Sequence, residues 1–224
     1  MTSQQRSLFG DQSEPFFDES EIVGLRYIPD FINREQHDEL VRQIDSEPWL
    51  TDLKRRVQHY GYKYNYKSRS VDQSMRIGPL PIWAANLGEM LRIQGHTSES
   101  PDQVIVNEYQ PGQGIANHID CVPCFADTII SLSLGSACVM ELTNKKTGKM
   151  VPLLLEPRSL VVLKEDARFI WTHGIPARKN DKLGERTISR RRRVSLTFRK
   201  MILQSGMEST DSSVLPVLMP PQST

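Results

Sequence analysis

Two places in the chain hold residues that could do chemistry together: His118 and Asp120 in Asn117-His118-Ile119-Asp120, and His173 in Trp171-Thr172-His173-Gly174-Ile175. Residues two apart on a strand point to the same face, so His118 and Asp120 could present an imidazole and a carboxylate side by side. His173 would complete a set of two imidazoles and one carboxylate. That set suits ferrous iron with coordination positions left open for substrate and dioxygen. His-x-Asp also arises by chance, and a lone His is more often a packed or surface residue than a ligand. The rest of the chain has to decide.

The stretch Arg190-Arg191-Arg192-Arg193-Val194-Ser195-Leu196-Thr197-Phe198-Arg199 decides it. On a strand, Arg193, Ser195, Thr197 and Arg199 share one face, and Val194, Leu196 and Phe198 share the other. The apolar face must go to the core, which leaves two cations lining a cavity. Six residues at about 3.3 Å each put the two Arg backbones roughly 20 Å apart, a gap that long side chains leaning together could mostly close around a short dianion. A guanidinium fork grips a carboxylate with two hydrogen bonds. By the same alternation Asn107 and Tyr109 share a face, as do Ser131 and Ser133. A metal site beside two Arg forks points to iron plus a dicarboxylate cosubstrate. Arg190 to Arg192 read as a solvated charge run or as phosphate contacts.

The elements that must position these groups follow from periodicity. Ile22 to Ile28 reads as a strand. Asn33 can cap a helix with Gln36 at its third position, and Leu40, Val41 and Ile44 give that helix an apolar side before Pro48 stops it. Pro79 to Gln94 reads as a second helix, with Leu80, Trp83, Leu87 and Leu91 at helical spacing for the core. From 103 to 200 the pattern becomes short strands parted by turn residues: Val104–Tyr109, Ala116–Asp120, Thr128–Leu134, Cys138–Thr143, Met150–Leu155, Ser159–Leu163, Phe169–His173 and Arg192–Lys200. Eight such strands imply a mainly β (α+β) fold, a jelly roll braced by two N-terminal helices. Residues 1–21 and 202–224 read as polar tails around one domain, 22–201.

Between the helices, Tyr60, Tyr62, Tyr64 and Tyr66 alternate with Gly61, Lys63, Asn65 and Lys67, behind Lys54, Arg55 and Arg56. As a strand, this puts every tyrosine on one face. Aromatic surfaces beside cations are what a base-binding surface needs; an aromatic face packed on the core fits the pattern equally.

A length of 224 residues, 38% hydrophobic and 25% charged, allows one domain with a full core. A net charge of +1 gives no global pull on nucleic acid, so any such contact must be local. No apolar run follows Met1-Thr2-Ser3-Gln4-Gln5-Arg6, and no stretch is long enough to cross a membrane. Three cysteines make no disulfide framework, so a reducing cytoplasm and a monomer are the expectation.

Together the motifs resemble the AlkB family of Fe(II)/2-oxoglutarate-dependent dioxygenases. The carrying residues are Asn107-x-Tyr109-x-Pro111-Gly112, His118-x-Asp120, Ser131-Leu132-Ser133-Leu134-Gly135, His173-Gly174-Ile175 and Arg193-x-Ser195-x-Thr197-Phe198-Arg199. The resemblance runs over roughly residues 22 to 201. It implies a double-stranded β-helix, with iron on His118, Asp120 and His173, and 2-oxoglutarate and dioxygen as cosubstrates. Arg193 and Tyr109, with Ser195, would hold the far carboxylate; Arg199 and Asn107 would hold the one near the metal; Ile129 and Ser131 would line the pocket. A nucleotide-recognition lid would fall at about 52–70, making Lys54, Arg55, Arg56, Tyr60, Tyr62, Lys63 and Tyr64 candidates for nucleic acid, DNA or RNA. The expected reaction is oxidation of an alkyl group on a nucleobase, giving repair by dealkylation. The phrases Tyr-Gln-Pro-Gly-Gln-Gly-Ile, Ser-Leu-Ser-Leu-Gly-Ser and Trp-Thr-His-Gly-Ile are most similar to a branch that hydroxylates a modified wobble uridine in transfer RNA. The chain departs from the demethylases of the family at Val122, where an acid often stands near the base, and at Ser195, where Asn is frequent.

Cys121 and Cys124 follow Asp120 directly. They could bind zinc, as in a non-catalytic zinc module or a zinc deaminase. The deaminase signature, however, has His-x-Glu and a separate Pro-Cys-x-x-Cys, and a zinc module leaves Arg193, Arg199 and His173 unexplained. Two reduced cysteines in a loop, open to oxidation, are the expectation; Cys138 reads as core.

Overall fold

Alternation in three neighbouring strands builds the centre of the molecule, which a computed structural model describes over residues 21–202, except 52 and 69. Strand β12 (Arg193–Met201) lies antiparallel between β3 (Gln103–Tyr109) and β5 (Phe125–Gly135). The register sets Arg193 opposite Tyr109 and Gly135, Ser195 opposite Asn107 and Ser133, Thr197 opposite Ile105 and Ser131, and Arg199 opposite Gln103 and Ile129. Cross-strand partners share a face, so one alternating set from three strands makes one polar wall. The other set, Val104, Val106, Ile130, Leu132, Leu134, Val194, Leu196 and Phe198, is a continuous buried apolar face.

That apolar face is covered by α1 (Arg34–Ser46) and α2 (Ile82–Ile93), through Leu40, Ile44, Ala84, Leu87 and Leu91. The capping box expected at Asn33 is present: its side chain accepts from the Gln36 amide at 2.8 Å, and Gln36 returns the bond at 2.9 Å. At the other end, the Gln58 amide donates to the carbonyls of Ile44 and Glu47, groups that a helix terminus leaves without partners. Helix α2 starts at Ile82, with Pro81 rather than Pro79 at its edge.

The large sheet is completed by β1 (Leu25–Ile28), β2 (Val57–Tyr60) and β8 (Leu160–Leu163), in the order β1-β8-β5-β12-β3-β2. A four-stranded sheet faces its polar wall: β4 (Ile115–His118), β9 (Trp171–Ile175), β6 (Cys138–Asn144) and β7 (Met150–Leu155). All pairings are antiparallel, and a second core joins the sheets through Ile129, Met140, Leu142, Leu153, Leu155 and Trp171. This is the jelly roll that the strand count implied. A short helix, α3 (Glu165–Phe169), and a hairpin, β10 (Asn180–Leu183) with β11 (Arg186–Ser189), were not foreseen. The strand expected over Phe169–His173 starts only at Trp171, because Phe169 closes α3. The tails expected at 1–20 and 203–224 lie outside the described residues. Among the described residues no helix is long and apolar enough to cross a membrane.

The tyrosine stretch does not form one strand. Gly61 has φ +78, and a Cβ there would lie 1.9 Å from the Asp102 carbonyl oxygen, so β2 ends at Tyr60 and the chain turns. Tyr60 stands edge-on to Trp83 in the helix layer, 5.4 Å between ring centres, whereas Tyr62 is buried in the other core. Lys63 is exposed. Of these four tyrosines, Tyr64 and Tyr66 line the open cavity between the sheets.

Candidate metal and cosubstrate site

Strand β4 brings the first imidazole to the second, because His118 pairs in register with His173 of β9 and their rings lie 4.5 Å apart. The two strands can approach this closely because Gly174 has no side chain: a Cβ there would fall 2.1 Å from Asn117 Oδ1 and 2.9 Å from the Asn117 amide. Asp120 lies beyond the end of β4, so the irregular segment after the strand, not strand alternation, delivers its carboxylate. Ligand atoms of His118, Asp120 and His173 all come within 4.8 Å of one another.

The donors suit a cation. His118 Nδ1 lies 2.9 Å from the Ala116 carbonyl oxygen, which can only accept, so Nδ1 carries the proton and Nε2 keeps its lone pair. Burial and the neighbouring His173 push the His118 imidazole down to about 4, against the pull of Asp120. Asp120 Oδ2 is buried without a hydrogen bond, although His173 Nε2 stands 3.2 Å away. Burial alone would raise the Asp120 carboxyl. The Arg199 guanidinium, 2.5 Å from Oδ1, and the two imidazoles hold it well below the usual carboxylate range. Two imidazoles and one carboxylate oxygen without a hydrogen bond are a donor set for a divalent metal with open positions.

A cavity of about 640 Å³ opens beside these groups, within the size usual for small-molecule sites. Arg193 faces it, 2% exposed, with one nitrogen donating to Ser133 Oγ at 2.9 Å while Nε and Nη1 have no partner. Its guanidinium lies 5.6 Å from the Tyr109 ring centre. A buried guanidinium with idle donors is costly unless an anion meets it. Ser131 and Ser195 share a hydrogen bond at 2.9 Å on the same wall. Arg199 divides itself between Asp120 and Gln103 Oε1, with Nε unused.

The cavity gathers most residues singled out from the sequence: His118, Asp120, His173, Asn107, Tyr109, Ile129, Ser131, Arg193, Ser195 and Arg199, with Lys54, Arg55 and Tyr64 from the lid stretch. It does not gather Arg56, Tyr60, Tyr62, Lys63 or Val122. Arg56 forks onto buried Glu108 at 2.6 and 2.7 Å and stacks on Trp49; Val122 points to solvent. The charge run is also reassigned. Arg190 is buried on Asp181, with both bonds at 2.6 Å, and Arg192 joins Glu108 to Asp45, so only Arg191 stays a surface cation. Cys121 and Cys124 form a disulfide, not a reduced pair, because the 121–124 turn sets their Cα atoms 5.3 Å apart. Bonded to each other, they offer zinc no thiolates. Cys138 is buried, as expected.

Sequence reasoning did not single out Gln103 or Arg168, and it noted Ser133 without a role. Arg168 is 2% exposed and donates to the carbonyls of Asp120, Cys121 and Phe125, which fixes the segment that carries the metal-site carboxylate. Alternation from Ser131 could have found the role of Ser133; nothing in the local pattern marks Arg168.

A jelly roll with two imidazoles and a carboxylate at one end of its cavity, and idle guanidinium donors along its wall, defines a class of metal-dependent oxygenase. Residues 24–199 match the 2OG-Fe(II) oxygenase superfamily, and the chain belongs to it. It is an Fe(II)/2-oxoglutarate-dependent dioxygenase of AlkB-like kind. It is 37% identical over 182 residues to the uncharacterized protein L905 of Acanthamoeba polyphaga mimivirus, covering 81% of this chain and 86% of that one. Identity is also 37% to the Arabidopsis thaliana alkylated DNA repair protein ALKBH8 homolog, over 82% of this chain and 60% of that one. To the mouse tRNA (carboxymethyluridine(34)-5-O)-methyltransferase ALKBH8 it is again 37%, over 80% of this chain but only 30% of the relative. The solved structure of OsALKBH1 shares the fold, with TM-score 0.58 and 17% identity over 79% of this chain and 96% of that one. Membership of this family overturns the zinc-module and deaminase alternatives.

Proposed function

We propose that this dioxygenase oxidises an alkyl group carried by a nucleobase. The observation that carries the reading is the triad of His118, Asp120 and His173 in a cavity also lined by Tyr64, Tyr66, Lys54 and Arg55. Flat rings beside cations suit a base and its phosphate. The names of several relatives support a nucleic-acid substrate, among them a probable RNA/DNA demethylase, ALKBH6, of Danio rerio at 28% identity.

His118, Asp120 and His173 would hold the iron, His118 through Nε2. Arg193 offers Nε and Nη1 to the far carboxylate of 2-oxoglutarate, with Tyr109 and Ser195 beside it. Asn107 and Arg199 serve the carboxylate nearer the metal, and Ile129 and Ser131 form the wall. Once bound, iron and 2-oxoglutarate supply an oxidant for an unactivated C–H bond, with release of succinate and carbon dioxide. Arg199 keeps Asp120 ionised and aimed; Arg168 fixes its backbone. A hydroxylated carbon on a base nitrogen is lost as an aldehyde, formaldehyde where the group was methyl, and the nitrogen is restored. On a carbon substituent, as in a modified wobble uridine, the hydroxyl stays; the ALKBH8 relatives favour that second reading.

The test compares nucleosides by mass spectrometry, from transfer RNA and from alkylated DNA, after incubation with iron, 2-oxoglutarate and either native protein or His118→Ala. Loss of an alkyl group or gain of one oxygen, with native protein only, supports the proposal. Succinate formation with no change in any nucleoside overturns it.

A further inference from the structure

One lid residue reaches into the core and touches a group on the cavity wall. Arg55 Nε donates to Asn107 Oδ1 at 2.8 Å, across 52 residues of sequence. Its guanidinium carbon stands 5.9 Å from the ring centres of both Tyr66 and Tyr109, so two aromatic faces hold it. Asn107 is buried, on β3 opposite Ser195.

A carboxamide has one accepting oxygen and one donating NH2, and by itself can sit either way round. An Arg side chain only donates. Whatever faces Arg55 must therefore be the oxygen, and the NH2 group is turned to the far side. Reversed, Asn107 would present a carbonyl oxygen to the cavity and repel a carboxylate.

We propose that Arg55 is a positioning residue for the cosubstrate: by holding the Asn107 oxygen it aims the Asn107 NH2 group at a carboxylate of 2-oxoglutarate, and so ties the lid to a loaded site. This rests on the reading of Asn107 given above. Arg55 then acts through Asn107, and its loss is felt in cosubstrate binding before any nucleic acid is present.

A thermodynamic cycle on the full chain loaded with Mn(II), which does not turn over, tests this. Calorimetry measures 2-oxoglutarate binding to native protein, Arg55→Met, Asn107→Ala and the double variant. Loss of one oriented charge-assisted contact predicts about tenfold weaker binding for each single variant. The double variant should match Asn107→Ala within about threefold, since coupled contacts are not additive. Arg55→Lys keeps one donor and should recover part of the affinity. Losses that multiply in the double variant would show that Arg55 does not act through Asn107. Unchanged 2-oxoglutarate binding by Arg55→Met, with weakened nucleic-acid binding, would make Arg55 a phosphate contact and overturn the proposal. Failure of the native protein to bind 2-oxoglutarate would overturn the assignment of the pocket as well. Should Arg55→Met not fold, Arg55→Lys carries the same cycle.

Discussion

Replacing Arg193 by Met separates what this guanidinium does for the fold from what it does for a ligand. Without cosubstrate, the variant loses a charged hydrogen bond to Ser133, about 1.5–3 kcal/mol. It also loses the stacking on Tyr109, about 0.5–2 kcal/mol. Against this, it removes a buried cation two of whose nitrogens have no partner; replacing buried charge with apolar side chains stabilises by about 1–4 kcal/mol. The net change therefore runs from about 2 kcal/mol of stabilisation to about 4 kcal/mol of destabilisation; its mid-range value, about 1 kcal/mol, moves the melting temperature by about 2–4 °C. With 2-oxoglutarate the balance is one-sided. On the proposed reading the two idle donors would meet the far carboxylate, and losing a buried charged contact costs about 2–5 kcal/mol, or roughly 30- to several-thousand-fold in Kd. The assay is calorimetric titration of 2-oxoglutarate into Mn(II)-loaded protein, beside thermal melts with and without it. A variant that melts near the native temperature, keeps its metal and loses the cosubstrate fits the reasoning. Cosubstrate affinity within threefold of native, or loss of metal instead, would falsify it.

Gly174→Ala puts a Cβ against the Asn117 backbone, so β4 must move off β9 and carry His118 from His173; metal affinity should fall about 10–100-fold, read by competition with a fluorescent chelator. Asp181→Asn leaves Arg190 buried without its carboxylate and should cost about 3–5 kcal/mol, a drop of roughly 6–20 °C in the melt. Burial would raise the Asp181 carboxyl, but Arg190 and Arg178 hold it lower than usual. Its stabilisation is therefore full above about pH 4 and lost as pH falls through the lower folded value, so the native protein's melting temperature should decline there more steeply than the variant's. Thiol alkylation in denaturant should mark one cysteine, Cys138, before reduction and three afterwards; three marks in unreduced protein would remove the Cys121–Cys124 bond.

The β core and most of the cavity wall were legible in the sequence because strand alternation is local. Arg193, Ser195 and Arg199 could be placed on one face from spacing alone, whereas their pairing with β3 and β5 came only from the structure. The capping box at Asn33 was equally local. Other features depend on what a residue meets far along the chain. Gly61 ends the tyrosine strand because the Asp102 carbonyl fills the space its Cβ would need, so Tyr60 and Tyr64 go to different layers. Arg190 and Arg56 look like surface cations until Asp181 and Glu108 are brought to them. Arg168 sits in a five-residue helix with no periodic signal, yet it holds the turn behind Asp120. Residue types and spacing thus determined which chemistry the chain can host. Tertiary contact alone decided which charges are free for a ligand, because a guanidinium's role depends on whether a carboxylate already occupies it.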